Sequence, residues 1–447
     1  MQNKKRVIYE IYVSSFCQDL QDLTNKIPYF KELGVTTLWL TPIFPSPSEH
    51  GYDITNYFGI KKEYGSLEDF DNFVNKAHEN ELEVLLDLVL CHTSSEHPLF
   101  KESIKGKNDC YFWLNHKSDD TWKICKDNER YYQAKWYYTM PQLNNQSPHV
   151  RHLIRDIIKF WLLDHNVDGF RLDAIKYASG DPIEFWKWFC DEVYKLKPNA
   201  YLVGECWETF DISNKYAKET GMKTFNFEQA GWIKNKILYN SRYEVTNDIN
   251  NSVIFLDNHD MTRIAVDCNF NVDKIKNLLK LMFTFKDNDI CIYYGTEIGM
   301  GIPNGYVQHG GYGDFNSRTK MNWHEVERQR KDPNSIFNYL KQLIKKYKVE
   351  EGYNMKKDIY NKIVDELSKT YEAKNADYGD SVGDTYNKFG DVSFLTRITD
   401  KYNRILSLSE KGEWGQLKDE SLNDTILDMA NYCILWLVER EAKKNNN

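Results

Sequence analysis

Three acidic residues each follow a short apolar run of the sequence and stand inside a short polar motif. They are Asp173 in Gly-Phe-Arg-Leu-Asp, Glu205 in Gly-Glu-Cys-Trp and Asp260 in Asp-Asn-His-Asp. One acidic residue at a strand end is usually a turn or helix cap. Three together have a chemical use, because a nucleophilic carboxylate and a protonated carboxyl group that flank a sugar can hydrolyse a glycosidic bond.

The residues around two of these carboxyl groups predict different protonation states. Arg171 is two residues before Asp173, so the two side chains share one face of a strand. The positive charge is expected to lower the pKa of Asp173 and to keep it ionised. Glu205 follows an apolar run and precedes Trp207. Partial desolvation there is expected to raise the pKa of Glu205, which suits a general acid.

The elements that carry these residues form a repeated pattern. Short apolar runs alternate with helical patterns over the first three quarters of the chain, which predicts βα units and a parallel sheet. Eight such runs predict a closed (β/α)8 TIM barrel, whose active site lies at the C-terminal ends of the strands. The predicted strands are Val7–Phe16, Val35–Phe44, Leu82–Leu90, Val167–Ile175, Ala200–Cys206, Thr224–Phe227, Ser252–Asp260 and Asp289–Gly299.

The spacing of these elements predicts the domain organisation. Residues 1–92 and 150–348 would form the barrel. The stretch 93–149 is too long for a βα loop, so we expect a small inserted subdomain there. After a linker at 349–355, residues 356–447 contain only helical patterns, which predicts a small all-α C-terminal domain. Its helices are expected at Lys356–Lys374, Phe389–Ser409 and Glu420–Lys444.

Composition and charge exclude several classes of protein. Apolar residues make up 41% and charged residues 28% of the 447, as is typical of a globular protein. The net charge of −8 gives no reason to expect a nucleic acid or an anionic membrane as a partner. The first apolar run is short and contains Glu10, so it indicates a strand and not a signal peptide. The nine cysteines lack metal-ligand spacing, so we expect reduced thiols in a cytoplasmic protein.

Taken together, the motifs resemble the α-amylase family of glycoside hydrolases, from about Val7 to Lys348. A further stretch, Tyr293 to Met300, is similar to the eighth-strand signature of that family. The resemblance implies that Asp173 is the catalytic nucleophile. It implies that Glu205 is the general acid/base and that Asp260 stabilises the transition state.

The resemblance also implies a set of substrate-binding residues. Arg171 would orient the nucleophile, and Asp87 would be a structural aspartate of the third strand. Tyr52 would stack against the sugar that is cleaved at its reducing side, and His92 and His259 would bind that sugar. The full predicted set is Tyr52, Asp53, His92, Arg171, Lys176, His259 and Arg318.

Some positions depart from the family pattern. Cys91 stands where the family usually has an asparagine, often near a bound calcium, and the other common calcium loop is reduced to Asp19–Asp22. A thiol is a poor ligand for this hard cation, so we expect neither an essential calcium nor another cofactor. Asp314 and Arg318 follow a pattern similar to that of oligosaccharide-active members, although a salt bridge in a loop would also explain them.

Linkage preference stays open. Ala174 after the nucleophile and Lys176 on the acceptor side are similar to members that cleave α-1,4 bonds, although Tyr177 replaces their usual histidine. Lys176 would otherwise be a solvated charge at the start of a helix. The segment Met140–Asn144 lies between the versions seen in α-1,6-glucosidases and in neopullulanases.

The C-terminal part resembles a different family. Residues 356–445 are similar to a small family called nucleotide modification associated domain 1, through the segments 374–380 and 420–432. Four polar residues in the second segment have the spacing of one helix face: Glu420, Asp424, Asp428 and Asn431.

This face has three interpretations. Like charges four residues apart destabilise a helix unless a positive charge neutralises them. Mg²⁺ with a nucleotide phosphate would do so, and so would Arg397 or Arg404. The third interpretation is a solvated or salt-bridged face. Helices in place of the family's usual β-sandwich also raise the hypothesis that two reading frames were joined near Met355.

The sequence therefore predicts a retaining α-glucan hydrolase that cleaves α-1,4 bonds in malto-oligosaccharides or starch-like substrates. One alternative is an α-1,6-glucosidase, a neopullulanase-like enzyme or a transglycosylating member of the same family. Another is a non-catalytic amylase-like protein whose helical tail acts on nucleotides. The oligomeric state is left open.

Overall fold

The computed structural model describes residues 5–241, 251–301, 317–378, 381–410 and 422–445. The chain divides into two compact units, Met1–Lys348 and Val349–Asn447. Within the described residues, no helix combines the length and the apolar character that a membrane span requires.

The first unit is built on a closed barrel of eight parallel strands. Sequential strands are neighbours, and the last strand pairs with the first, as Val7 with Ile290 and Glu10 with Tyr293. The predicted (β/α)8 TIM barrel is therefore confirmed. Its strands are β1 Val7–Ile11, β2 Thr37–Leu40, β3 Glu83–Leu88, β7 Gly169–Leu172, β8 Tyr201–Gly204, β9 Lys223–Phe225, β10 Ser252–Ile254 and β11 Asp289–Tyr293, with β4 to β6 in the inserted segment.

All eight strands are shorter than the predicted runs. The first ends at Ile11 and a short helix takes up Val13–Phe16. Strands that are covered on both faces have continuous apolar sequences. The apolar run therefore does not mark where the hydrogen-bonded ladder ends, and it continues past that point. The residues beyond each ladder form the loops at the mouth of the barrel, where the acidic motifs lie.

Helices surround the barrel and bury one apolar stripe each. In Leu67–Glu79 the buried residues are Phe70, Phe73, Val74 and Ala77, which have helical spacing. The helices of this unit are α1 Val13–Phe16, α2 Leu20–Asn25, α3 Ile27–Leu33, α4 Leu67–Glu79, α5 Pro98–Ile104, α6 Pro148–Lys159, α7 Pro182–Leu196, α8 Phe210–Thr220, α9 Phe227–Leu238, α10 Ile264–Asp267, α11 Val272–Met282 and α12 Trp323–Arg330.

The segment between β3 and α6 contains its own small sheet. Strands β4 Trp113–Leu114, β5 Trp122–Ile124 and β6 Tyr131–Gln133 are antiparallel, with β6 in the middle. Phe100 of α5 stacks on Trp113 with ring centroids 5.6 Å apart. This aromatic core agrees with the tyrosine- and tryptophan-rich composition from which the sequence predicts a subdomain.

A buried ion-pair network closes the N-terminal end of the barrel. Asp289 is fully buried and accepts hydrogen bonds from the Arg6 amide and from the Tyr201 hydroxyl, each at 2.7 Å. It also forms an ion pair with Lys223, whose Nζ lies 2.8 Å from Oδ2. The carboxylate of Asp289 on β11 is thereby joined to Tyr201 on β8 and to Lys223 on β9.

We expect Asp289→Ala to lower the free energy of unfolding by about 3–5 kcal/mol, because Lys223 and the Tyr201 hydroxyl would stay buried without their acceptor. Asp287→Ala, two residues earlier, is the control. Its side chain is 89% exposed and its ion pair with Lys5 is 3.7 Å long, so the change should cost less than about 1 kcal/mol. Urea unfolding of both variants measures the difference, and equal costs would contradict a bracing role for Asp289.

The second unit is helical, as predicted, but the linker prediction is wrong. Residues 349–355 continue a long helix, α13 Ile336–Tyr378, because glutamate, methionine and lysine around them favour helix over an irregular connection. Phe389 ends a separate helix instead of starting one. The remaining helices are α14 Ser381–Phe389, α15 Val392–Glu410 and α16 Leu422–Asn445.

Candidate active site

The predicted acidic residues lie together at the C-terminal end of the barrel. Asp173 and Glu205 directly follow β7 and β8, and Asp260 lies in the loop after β10. The backbone N–H of Asp173 donates to the Leu88 carbonyl at 3.1 Å, and that of Glu205 donates to the Leu172 carbonyl at 2.9 Å. Both carboxylates therefore stand on rigid strand ends.

Arg171 on β7 is the centre of the site. Its Nη1 lies 2.8 Å from Asp87 Oδ1 and 2.9 Å from Asp173 Oδ1, and its Nη2 lies 2.9 Å from Glu205 Oε2. The guanidinium is 1% exposed and also faces the Trp39 ring. A planar fork of fixed N–H donors sets the relative positions of all three carboxylates.

The pKa shift of one of the two carboxyl groups, Asp173 and Glu205, differs from the one expected from the sequence. Burial raises the pKa of Asp173, although Arg171 opposes this effect. Burial also raises the pKa of Glu205, and Arg171 opposes it there too, while Asp173 and Asp260 raise it further. The predicted lowering at Asp173 is wrong because the carboxylate is more deeply buried than the sequence indicates and one guanidinium serves both groups.

Asp260 is held by a second arginine. Arg318 Nη2 lies 2.5 Å from Asp260 Oδ1, and Arg318 Nε donates to the His259 carbonyl at 3.0 Å. Burial alone would raise the pKa of Asp260, but His259 and Arg318 outweigh it and hold the pKa well below its usual range. Asp260 is therefore ionised. Asp314, the other predicted residue of this pattern, lies outside the described residues.

His259 connects two of the predicted residues, Tyr52 and Asp260. Its Nε2 lies 2.6 Å from the Tyr52 hydroxyl and 3.2 Å from Asp260 Oδ2, and its ring stacks on Tyr52 at 5.5 Å. Its Nδ1 lies 2.6 Å from Oε1 of Glu10, a residue that sequence reasoning missed. The available signal was a single glutamate in the otherwise apolar strand β1.

The loop after β2 contributes Tyr52 and Asp53. The Tyr52 hydroxyl donates to Asp87 Oδ2 at 3.0 Å. Asp53 is buried and accepts from the hydroxyls of Ser46 and Ser48, so it fixes the loop from within. A direct role of Asp53 in holding substrate stays a prediction.

His92 lies on the other side of Tyr52. Its Nε2–H donates to the Tyr52 carbonyl at 3.1 Å, and burial lowers its pKa to about 4, so the ring is neutral. Its Nδ1 has no hydrogen-bond partner among the residues that the structure describes. The ring also contacts Trp136, which is 38% exposed and which the sequence did not single out.

Lys176 lies at the rim. Its Nζ is 2.5 Å from Glu208 Oε1 and donates to the Trp207 carbonyl at 3.2 Å. Trp207 is 43% exposed and stacks on Phe227 with ring centroids 4.5 Å apart. The rim thus presents a fixed cation beside an open aromatic face.

Residues 13–363 match the family model of the alpha-amylase catalytic domain. The chain belongs to the alpha-amylase family. It is therefore a glycoside hydrolase-type enzyme that acts on α-glucans. The sequence resemblance is confirmed, and the match extends 15 residues beyond Lys348, where it was expected to end.

The similarity covers most of the chain. Alpha-amylase 3 of Dictyoglomus thermophilum is 36% identical over 385 residues, 76% of this chain and 76% of that protein. A 4-alpha-glucanotransferase of Thermotoga maritima is 31% identical over 325 residues, 65% of this chain and 71% of that protein. Among solved structures, Eubacterium rectale Amy13B aligns with a TM-score of 0.68 and 30% identity, over 77% of this chain and 79% of that chain.

At the position where the family usually has a calcium-associated asparagine, this alpha-amylase family member has the thiol of Cys91, a poor ligand for a hard cation. The Cys91 thiol donates to the Ala174 carbonyl at 3.4 Å. The side-chain oxygen of the neighbouring Asn145 accepts from the Ser179 amide at 2.8 Å. In the described part of the chain, no three or more histidine, cysteine, aspartate or glutamate residues form a metal-binding group. That catalysis needs no calcium stays a prediction.

The helical unit matches the second expected family. Residues 374–439 match the model of nucleotide modification associated domain 1. On α16, Asp428 lies 2.8 Å from Lys401 of α15, a cation that the sequence analysis did not consider, and Arg397 packs on the Tyr432 ring. Asn431 is buried, and Glu420 lies outside the described residues.

Proposed function

We propose that this member of the alpha-amylase family is a retaining hydrolase of α-1,4 bonds in malto-oligosaccharides. The observation that carries the proposal is the bridge that Arg171 makes between Asp173 and Glu205. Two carboxyl groups that share one guanidinium lie close together. This favours the separation of about 5–5.5 Å of retaining enzymes over the 6.5–9.5 Å of inverting ones.

In the first step Glu205 gives its proton to the glycosidic oxygen, and the bond from that oxygen to the anomeric carbon breaks. Asp173 forms a covalent bond to the same carbon from the opposite face. The Arg171 contact at 2.9 Å fixes the attacking carboxylate, so little motion is needed to reach the carbon.

In the second step the ionised Glu205 removes a proton from water, whose oxygen bonds to the anomeric carbon as the ester to Asp173 breaks. Both steps develop positive charge on the sugar ring. Asp260 is ionised and its side chain is 30% exposed, so its charge can face the sugar and stabilise the oxocarbenium-like transition state.

The charge balance of the site supports a protonated Glu205. Crowded carboxyl groups favour retention of a proton by one of them, and the proton is shared over the coupled set. Among the described residues of the site, carboxyl groups outnumber cations. The carboxyl groups are those of Glu10, Asp87, Asp173, Glu205 and Asp260, and the cations are Arg171, His259 and Arg318.

The preference for α-1,4 bonds rests on the residues after the nucleophile. Ala174 is small, and its backbone N–H donates to Glu205 Oε2 at 3.0 Å. Lys176 is held at the acceptor side by Glu208. The names of the Dictyoglomus and Thermotoga relatives, an alpha-amylase and a 4-alpha-glucanotransferase, are consistent with this linkage.

Product release from maltoheptaose and from pullulan tests the proposal. We expect shorter malto-oligosaccharides from maltoheptaose and, from pullulan, products whose remaining bonds include every α-1,6 linkage. Release of maltotriose from pullulan by cleavage of its α-1,6 bonds would overturn the linkage assignment. No cleavage of either substrate by folded enzyme would overturn the hydrolase assignment.

Transfer of the glycosyl group to a second sugar is a close alternative. The exposed Trp207 favours it, because an aromatic face at the rim can stack an acceptor sugar that competes with water. We expect Trp207→Ala to lower the ratio of transfer to hydrolysis, measured as products longer than the substrate from maltotriose. An unchanged ratio would remove this residue from the acceptor site.

The cysteines bear on the cellular location that we propose. All nine cysteines are free, which suits a reducing cytoplasm.

For the helical unit, the family match suggests nucleotide binding. Incubating the full chain with Mg²⁺ and each common nucleoside triphosphate, beside the variant Asp428→Asn, tests this. Release of pyrophosphate or phosphate that the variant lacks would support it, and no release with any nucleotide would count against it.

A further inference from the structure

Glu10 stands behind the catalytic face of the barrel. It lies on β1 and its side chain is 1% exposed. Its Oε1 accepts from His259 Nδ1 at 2.6 Å and from the His259 backbone N–H at 3.3 Å. Within the described residues, His259 is the only hydrogen-bond partner of this carboxylate, since Oε2 has none.

The protons around the other ring nitrogen can be assigned. Asp87 accepts from Arg171 Nη1 at 2.8 Å and from the Trp39 indole N–H at 3.3 Å. Burial raises the pKa of Asp87 to about 7 although Arg171 opposes this, so at pH 7.5 the ionised form, which only accepts, is the larger fraction. The Tyr52 hydroxyl has one proton and donates it to Asp87. Toward His259 the Tyr52 hydroxyl oxygen can therefore only accept. The Nε2–H of His259 donates to this oxygen and to Asp260.

His259 therefore faces acceptors on both ring nitrogens. Neutral imidazole has one N–H, whereas imidazolium has two. We propose that Glu10 is a positioning residue that holds His259 as an imidazolium cation beside Asp260. The catalytic consequence is that the fixed cation keeps Asp260 ionised and directs one N–H toward the sugar-binding side of the barrel. Only this consequence rests on the proposed function.

The charged and titratable groups that face His259 come from β1, from the loop after β2, from its own loop and from Arg318, whose Nε donates to the His259 carbonyl at 3.0 Å. Glu10 faces Nδ1 from β1, and the Tyr52 hydroxyl faces Nε2 from the loop after β2. Asp260 lies on the same loop as His259. Further away are the carboxylates of Asp87, Asp173 and Glu205 and the guanidinium of Arg171.

The balance of these charges favours the cation. Burial lowers the pKa of His259, but Asp260 and Glu10 outweigh burial and raise it to about 10. This lies above the unfolded value of about 6.5. The stability that the charge contributes is thus fully present below about pH 6.5 and is lost as the pH rises through the folded pKa.

Nitrogen-15 NMR of histidine-labelled full-length enzyme tests the proposal directly, because protonated and unprotonated ring nitrogens have distinct shifts. The signals of His259 are assigned by their loss in His259→Gln. At pH 7.5 we expect both nitrogens of His259 to be protonated in the wild type. In Glu10→Gln, which keeps an acceptor but removes the charge, we expect the His259 pKa to fall by at least one unit.

The matched control is Glu297→Gln, a glutamate that is also fully buried but whose carboxylate accepts from the hydroxyls of Tyr9 and Tyr29 instead of from a histidine. It should leave the His259 titration unchanged. A His259 ring with one protonated nitrogen in the wild type at pH 7.5 would overturn the proposal, as would an unchanged titration in Glu10→Gln. Circular dichroism confirms that each variant is folded.

Kinetics give the catalytic consequence. As the pH rises, we expect kcat for maltoheptaose to begin to fall at a pH at least one unit lower in Glu10→Gln than in the wild type or Glu297→Gln, with little difference in KM. An equal pH response in all three would contradict it. The NMR result does not depend on turnover. An enzyme with a charged His259 that does not cleave maltoheptaose would overturn the hydrolase assignment alone.

Discussion

Asp173→Asn will remove turnover of maltoheptaose, with a loss in kcat on the order of 10⁴–10⁶-fold. The amide is nearly the same size as the carboxylate, so the loss reports chemistry. It cannot form the glycosyl-enzyme ester, and no other carboxylate stands on the same strand end beside Arg171 in the described structure. The fold should survive, because replacing the ion pair by an amide relieves part of the charge crowding in the site.

Asp181→Asn is the control for this change. Asp181 caps α7 by accepting from the amides of Ile183 and Glu184, and asparagine is an equally good cap. Turnover by Asp181→Asn should stay within about twofold of the wild type. If Asp173→Asn kept more than a tenth of wild-type kcat while folded, the nucleophile assignment would be wrong.

Arg171→Met will damage both stability and activity. The substitution leaves Asp87, Asp173 and Glu205 without their shared cation in a buried site. Loss of one partner from a buried ion pair costs about 3–5 kcal/mol in the free energy of unfolding. We expect kcat to fall by at least about 10²–10³-fold, because the nucleophile and the acid lose their fixed positions.

A lysine at the same position separates charge from geometry. Arg171→Lys keeps the charge, but its single ammonium lacks the planar fork that contacts three carboxylates, so we expect most of the activity loss and part of the stability loss. Arg155→Met is the control, since Arg155 pairs with Glu192 on the surface and is 48% exposed, and it should cost less than about 1 kcal/mol. Wild-type stability and turnover in Arg171→Met would contradict the central place given to Arg171.

The position of the acidic residues could be predicted from the sequence. Each follows an apolar run, and parallel strands in a barrel bring their C-terminal ends to one face. Asp173 and Glu205 are 32 residues apart in the chain, yet the register that pairs Arg171 with Val203 places them side by side. The periodic pattern was sufficient for this inference because it fixes which end of every strand is the functional one.

The contacts across the barrel could not be predicted. Glu10 and His259 lie on β1 and after β10, which are not neighbouring strands, so no local pattern relates them. The contact of Arg171 with Glu205 depends on side-chain conformation as well as register. For the same reason the sequence predicted the wrong direction for the pKa of Asp173, whose burial comes from loops that converge from distant parts of the chain.

The helical unit shows a similar limit. The helix pattern around Asp428 could be predicted, but its partner could not, because Lys401 lies on another helix and charges of this kind occur throughout the segment. The linker was misread for a physical reason. Composition changes near residue 349, but the backbone stays helical where no proline or glycine pair interrupts it.

The most direct test of the account is the anomeric configuration of the first product. Proton NMR, recorded within minutes of adding enzyme to maltoheptaose, separates the α- and β-anomers of the newly formed reducing end before they interconvert. The account predicts that the α-anomer appears first, because two displacements at one carbon, through Asp173 and then water, retain configuration. Initial release of the β-anomer would show a single displacement by water and would contradict the assignment of Asp173 as nucleophile.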